Sequence, residues 1–307
     1  MKPRFYKKRV EREIRKLFKK SSIVSYDQFS KGLVSPTFKV TITNPKKVLA
    51  IKIYKPANKE MIRKSVEVSN YLRENNISVP RVLSNSLFEK QGILIMDYIK
   101  GENAMVLYNK TRDVAVKKRI LLNSGKLLRK IHNLRKHKVW THNKNDNSRE
   151  DWHNWTKLRT KKYLKFFREN LDRKYYLFFR KELSKFLKLI EKQRNHSLIH
   201  FDYHLANMLV NSKGELMCIL DFDQARKGHS LADLGIAKHF LRFESNDWEN
   251  FKYLLQGYGT KRKVQEEIIH GYFILHLMAI TRSLFHKKKY GWIIKEHYAM
   301  FDEMMKK

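Results

Sequence analysis

Acidic residues are scarce in this chain. Its 307 residues hold 30 Asp and Glu against 66 Lys and Arg, a formal net charge of +36. Such a deficit leaves few carboxylates to bind polycations, and it surrounds the molecule with a positive field that attracts anions and is screened by salt. Cysteine is scarcer still. The single Cys218 excludes an intramolecular disulfide and disfavours a cysteine-based metal site; set between Met217 and Ile219, it reads as a buried strand residue. No apolar run approaches the ~20 residues that span a bilayer, and no charged-then-apolar leader precedes a cleavage site. Those absences predict a cytoplasmic protein, with peripheral attachment to a membrane surface left open. Internal repeats and low-complexity tracts are absent too.

The few acids fall in a pattern. Leu198-Ile199-His200-Phe201-Asp202-Tyr203-His204-Leu205-Ala206-Asn207 is followed, fourteen residues after Asn207, by Asp221-Phe222-Asp223. A hydroxyl that attacks a γ-phosphate needs a carboxylate to orient it and accept its proton, and the crowded phosphate oxygens need a divalent cation. Asp202 suits the first task. Magnesium prefers hard oxygen ligands and keeps water and phosphate in its shell, so one carboxylate and one amide suffice, and Asp221 and Asn207 suit that role. Asn207-Met208-Leu209-Val210 reads as a short strand, Asn211 to Gly214 as a turn and Leu216 to Leu220 as the returning strand, a hairpin predicted to bring Asn207 and Asp221 to one end. His200 and His204, four apart, lack the further His or Cys that a zinc site requires.

These residues resemble the aminoglycoside phosphotransferase and choline kinase superfamily, a branch of the protein-kinase-like fold. Its members carry a His-x-Asp-x-x-x-x-Asn loop and an Asp-aromatic-acid metal motif, matched here by His200 to Asn207 and by Asp221-Phe222-Asp223. The resemblance implies an α+β, two-lobed architecture with a small antiparallel-sheet N-lobe and a larger, mainly helical C-lobe. Residues 1–98 would form the nucleotide-binding lobe with its basic N-terminal helix, and 99–307 the catalytic and substrate-binding lobe. ATP and Mg2+ are the implied cofactors. Asp202 is the implied base, His200 the group that orients the loop, and Asn207, Asp221 and Asp223 the metal candidates; Asp233 stands where the family places a buried brace.

Upstream, Phe38 to Ile42 and Val48 to Tyr54 read as two strands of a hairpin. Lys52 alternates with Ile51 and Ile53, as a phosphate-contacting lysine requires. On the helix predicted from Lys59 to Asn75, Glu67 is the expected partner of Lys52, with Glu60 and Glu74 as the alternatives, ahead of an exit, Val79-Pro80-Arg81-Val82-Leu83, very like the family's. Ser30 to Thr37 occupies the phosphate-loop position with one glycine, which makes Gly32 and Ser35 the contact candidates, while Pro36 removes one N–H. Gly92 to Gly101 resembles the hinge, where backbone groups near Asp97 and Ile99 would read adenine. Two departures stand out: Phe201 replaces the usual glycine after the loop histidine, and Asp223 replaces the glycine of the protein-kinase Asp-Phe-Gly triplet.

The reading is therefore an ATP-dependent kinase acting on a hydroxyl of a small-molecule, lipid-linked or sugar-linked acceptor. Charge favours a neutral or anionic acceptor over a polycation, because relatives that bind cationic drugs need an acidic pocket. The alternatives are an atypical protein kinase, disfavoured by Asp223 and by the lack of an activation segment ending in Ala-Pro-Glu, and a non-catalytic binder of nucleic acid or membrane on a kinase-like scaffold. Two basic segments feed that last reading. Residues 3–20 form a basic amphipathic helix, predicted either to pack its stripe on its own domain or to lie on an anionic membrane. Residues 152–192 interleave aromatic with basic side chains, a pattern shared by base-stacking surfaces and core helices.

Overall fold

The computed structural model describes residues 4–30, 35–54, 59–88, 91–134, 149–193, 196–260 and 263–306. In chain order the elements are α1 (Arg4–Leu17), β1 (Ile23–Ser30), β2 (Thr37–Ile42), β3 (Lys47–Tyr54), α2 (Lys59–Glu74), β4 (Val82–Phe88), β5 (Gln91–Asp97), β6 (Glu102–Asn103), α3 (Ala104–Lys110), α4 (Val114–His132), α5 (Arg149–Asn170), α6 (Arg173–Glu191), β7 (His196–Ile199), β8 (Met208–Val210), β9 (Leu216–Ile219), β10 (Arg226–His229), α7 (Leu231–Ser245), α8 (Phe251–Tyr258), α9 (Lys263–Leu284) and α10 (Gly291–Met305). They form two compact units: residues 1–102 with 208–211 and 216–223, and residues 103–207 with 212–215 and 224–307. An antiparallel sheet precedes a mostly helical remainder, the α+β kinase-like fold.

The first unit is built on a five-stranded sheet of order β1-β2-β3-β5-β4, every pair antiparallel. Alternation along the strands sorts side chains to two faces. On one, Phe38, Val40, Ile42, Leu49, Ile51, Ile53, Ile93 and Ile95 pack against Val10 and Ile14 of α1, with Phe18 partly buried beside them. The amphipathic N-terminal helix thus spends its apolar stripe on its own sheet. On the other face Tyr54 and Leu94 pack with Ile62 of α2, joined by Val66, Val82 and Met96. Lys52 points to this second face, opposite Leu94 in the register. β8 and β9 pair antiparallel, Met208 with Ile219 and Leu209 with Cys218, as the hairpin pattern predicts.

The second unit is a helical assembly with one two-stranded sheet, β7 with β10. Helices α4 and α8 meet through glycines: a Cβ on Gly125 would stand 2.1 Å from the Leu254 carbonyl oxygen, and one on Gly257 2.1 Å from that of Leu122. Only a hydrogen in place of a side chain permits that approach. Of the aromatic-basic segment, Phe167, Tyr175, Phe179 and Phe186 are buried core residues, so much of its aromatic surface is used within the fold. No described helix is long and apolar enough to cross a membrane.

Candidate active site

In the second unit, β7 delivers the chain into the loop that starts at His200, and a buried acid sets that loop's shape. Asp233, fully buried in the first turn of α7, accepts the backbone N–H of His200 at 2.8 Å and of Phe201 at 2.7 Å. His132 of α4 reaches the same carboxylate through Nε2 at 3.1 Å, and its Nδ1 meets the Tyr258 hydroxyl at 2.9 Å. The brace is needed because Phe201 sits at φ 62°, the left-handed region that costs a side-chain-bearing residue about 1–3 kcal/mol and that glycine occupies freely. His200 itself is fully buried and lies edge-on to Tyr203, 5.8 Å between ring centres; its side chain packs the loop.

Asp202, by contrast, keeps a third of its side chain open, 34%. Asn207 donates its amide Nδ2 to the Asp202 carboxylate at 3.1 Å and to the Asp202 carbonyl at 2.9 Å, and His204 lies 3.6 Å from the other carboxylate oxygen. Burial works to raise the Asp202 pKa; the hydrogen bond and charge of His204, the charge of His200 and the Asn207 amide outweigh it and hold the group at about 2. Asp202 is therefore an ionised acceptor throughout the neutral range. Because Asn207 commits its nitrogen to Asp202, its amide oxygen is turned away from that carboxylate, the orientation a metal ligand needs.

The first unit holds a second cluster, centred on Asp223. Lys52 places Nζ 2.8 Å from Asp221 Oδ1 and 2.7 Å from Asp223 Oδ2. The other oxygen of Asp223 accepts the hydroxyls of Tyr54 at 2.8 Å and Ser65 at 2.9 Å, while Lys64 donates to its carbonyl at 2.9 Å. Burial pulls the Lys52 pKa down; Asp221, Tyr54 and Asp223 push it up by more, so it stands above the ordinary lysine range and the ammonium stays charged. Glu67, the expected partner of Lys52, instead pairs with Arg63 one turn away on the exposed side of α2. The anchor for the lysine comes from Asp223, and α2 contributes Ser65 and Lys64 in place of an acid. Tyr54 and Ser65 escaped the motif reading, although Tyr54 lies two residues beyond Lys52 on the same strand face.

This arrangement divides the metal candidates. Both oxygens of Asp223 are engaged by Lys52, Tyr54 and Ser65, so its carboxylate is a brace for the lysine. Asp221, 37% exposed, meets Lys52 through Oδ1, and its φ of 62° is a second left-handed, non-glycine position. One carboxylate and one amide oxygen fit magnesium, which takes much of its shell from phosphate and water. No group of three or more His, Cys, Asp or Glu suited to a metal ion occurs among the described residues.

At the hinge position the Asp97 N–H donates to the Arg81 carbonyl at 2.9 Å, and its carboxylate binds Lys47 and Arg81, each at 2.8 Å. Burial would raise the Asp97 pKa, and those two cations lower it below the usual carboxylate range. Asp97 thus ties β5 to its neighbours through its side chain, and Ile99 follows it in irregular chain. Ser35 is described just ahead of β2; Gly32 lies outside the described residues.

The second unit also contains a cavity of about 220 Å³ whose lining includes Phe201, Trp152, Trp155, Arg159, Arg226 and His276. Trp152 and Trp155 stack at 4.9 Å, and Trp155 meets Phe201 edge-on at 5.7 Å. The Arg226 guanidinium lies 4.5 Å from the Phe201 ring centre and 5.9 Å from that of Trp155, and Arg159 lies 5.0 Å from Trp155. Burial lowers the pKa of His276 to about 4, with Asp202 acting in the opposite sense, so the wall is close enough to feel the Asp202 charge. Arg226, five residues past Asp221, carried no signal in the motif.

A model of the phosphotransferase enzyme family matches residues 25–266, and the chain belongs to that family, as the resemblance implied. It is a kinase-type phosphotransferase. Among solved structures, it is similar to the GDP complex of aminoglycoside 2'-phosphotransferase-IIIa, with TM-score 0.73 and 12% identity over 97% of each chain. It is also similar to a thermostable mutant of aminoglycoside phosphotransferase APH(4)-Ia in a ternary complex with ADP and hygromycin B, with TM-score 0.71 and 13% identity over 95% of this chain and 98% of that one. ADP-bound aminoglycoside phosphotransferase APH(2'')-Ib gives TM-score 0.66 and 16% identity over 98% and 97%. At such identities the likeness is one of fold. No curated protein matches the chain.

Proposed function

We propose that this protein transfers the γ-phosphoryl group of ATP to an alcohol hydroxyl, with Asp202 as the orienting and proton-accepting carboxylate, Asn207 and Asp221 as magnesium ligands and Lys52 as the phosphate-contacting cation. The observation that carries this reading is the Asn207–Asp202 pair: one amide holds the carboxylate through nitrogen, which leaves its oxygen as the donor a metal would take. In the reaction, the acceptor oxygen forms a bond to the γ-phosphorus as the bond to the β–γ bridging oxygen breaks, ADP departs, and the hydroxyl proton passes to Asp202 and on to solvent. A carboxylate at about 2 is a weak base, which suits a loose transition state in which the proton moves late and positioning matters most. Magnesium supplies charge neutralisation at the phosphates when bound. Lys52, ionised and braced by Asp223, adds a fixed positive charge.

The acceptor is a small or lipid- or sugar-linked hydroxyl compound, neutral or anionic, rather than a polycation. A cavity of about 220 Å³ in the unit that carries Asp202 fits a small group better than a folded protein surface. The test is ADP release across a panel of hydroxyl compounds. Asp202→Asn and Asp221→Ala should each abolish transfer, and the Asp221 variant should also lose magnesium-dependent ATP binding. Retained turnover in both variants overturns the assignment.

A further inference from the structure

We infer that the cavity beside Phe201 is the acceptor subsite and that it selects a hydroxyl-bearing ring with an anionic substituent, carboxylate or phosphate. The inference rests on the kinase reading above and narrows its substrate class. Its basis is the composition of the lining, which combines the rings of Trp152, Trp155 and Phe201 with two guanidinium groups and, among the described residues, contains no Asp or Glu. The similar aminoglycoside phosphotransferase that holds hygromycin B takes a cationic acceptor; a wall with two positive charges and no carboxylate among its described residues repels such a cation.

The geometry supplies both halves of the recognition. Trp152 is fixed by its indole N–H, which donates to the Tyr272 hydroxyl at 2.9 Å, and Trp155 stacks on it, leaving Trp155 and Phe201 as an aromatic corner half open to the cavity. A flat ring placed there gains apolar burial against rigid walls at little entropic cost. The guanidinium groups of Arg159 and Arg226 lie over these same rings. A planar guanidinium stacked on an aromatic face is fixed in orientation, and its donor geometry matches the two oxygens of a carboxylate or phosphate. Arg226 is further held by Gln224: Nε donates to its carbonyl at 3.1 Å and Nη2 to its side-chain oxygen at 3.4 Å.

Phe201 connects the subsite to the chemistry. It precedes Asp202 in the chain, and its left-handed backbone, pinned by Asp233, sends a ring into the cavity where the family's usual glycine has none. The strain at that residue is the cost of a wall for the acceptor. At about 220 Å³, the space falls below the roughly 300–1,000 Å³ of pockets that enclose drug-sized ligands, so a single ring with its anionic group occupies it and any larger remainder of the acceptor projects outside.

The test measures binding and turnover separately. Glucose 6-phosphate, glucuronate and 4-hydroxybenzoate, with glucose and glucosamine as neutral and cationic matches, are titrated calorimetrically into the nucleotide-free protein and then assayed for ADP release with ATP and magnesium. At least one anionic ring should bind more tightly than its neutral match. Arg159→Gln and Arg226→Gln should each weaken that ligand roughly ten- to a hundredfold without changing the affinity for ATP, and Trp155→Ala should weaken every ring that binds. Carboxylate against phosphate arms tell the two anion sources apart. Equal or tighter binding of glucose or glucosamine, or full affinity in both arginine variants, overturns the subsite. Turnover confined to neutral or cationic compounds overturns it as well and leaves the kinase reading intact. An anionic ring that binds through both arginines yet gives no ADP release sinks the kinase reading instead.

Discussion

The two units bury ionisable groups in opposite ways. The helical unit keeps three of its buried histidines neutral: desolvation, aided by neighbouring histidines, lowers His229 to about 3, His297 to about 4 and His239 well below its ordinary value. Its buried acid, Asp233, is satisfied chiefly by backbone N–H groups and His132. The sheet unit buries a charged ammonium, Lys52, and holds it there with two carboxylates. One device fixes the path of the chain; the other fixes the position of a charge. A change to the first should therefore register in stability, and a change to the second in nucleotide binding.

The largest expected effect is acid destabilisation, and it should arise in the helical unit. Between pH 6.5 and about 4 the unfolded chain takes up protons that His229, His239, His276 and His297 do not accept in the fold. Stability therefore falls with falling pH by up to about 1.4 kcal/mol per pH unit for each such histidine. Asp202, whose folded pKa is depressed, withdraws its own contribution only from 3.8 down to about 2. Denaturant midpoints from pH 7 to 4.5 check this, and a flat profile would contradict the neutral burial of the histidines. Next comes Asp233→Ala, which strands two backbone N–H groups and releases Phe201. Equilibrium unfolding should show a loss of about 3–5 kcal/mol, far more than any substitution at the exposed Glu67.

Asp223→Ala sharpens the comparison from the other side. It leaves Lys52 with Asp221 alone, so the KM for ATP should rise roughly tenfold or more while the acceptor KM changes little; equal loss in both would place Asp223 outside the lysine anchor. Tyr54→Phe, which deletes one of three side-chain hydrogen bonds to Asp223, should cost about 1 kcal/mol in equilibrium unfolding. Glu67→Ala, removing an exposed i,i+4 pair, should alter stability by no more than about 0.5 kcal/mol and leave the ATP KM unchanged.

What the sequence disclosed follows the same division. Strand alternation at Ile51-Lys52-Ile53 and the β8–β9 hairpin pattern were readable because each depends on neighbours in the chain. The spacing of Asp202 and Asn207 was readable for the same reason: a five-residue loop brings them into contact without help from elsewhere. The partner of Lys52 was not. Glu67 lies on the helix that motif order selects, but Arg63, one turn before it, claims it locally, and whether Asp223 turns its carboxylate toward Lys52 depends on Tyr54 and Ser65, about 170 and 158 residues away. The acceptor cavity was hidden for a related reason. Trp152 and Trp155 occur in a segment where Phe167, Tyr175, Phe179 and Phe186 fill the core, and nothing in the local pattern distinguishes a ring that lines a cavity from one that plugs it.

The N-terminal helix has a practical consequence of its own. With Val10 and Ile14 removed, the isoleucine and valine side chains of β2, β3 and β5 would form a bare, β-branched sheet face of the kind that draws other chains into aggregates. A truncation that starts the protein at Ile23 would still encode every residue assigned to catalysis, yet it should yield insoluble material. For this chain, the first turn of solubility engineering is to leave α1 in place.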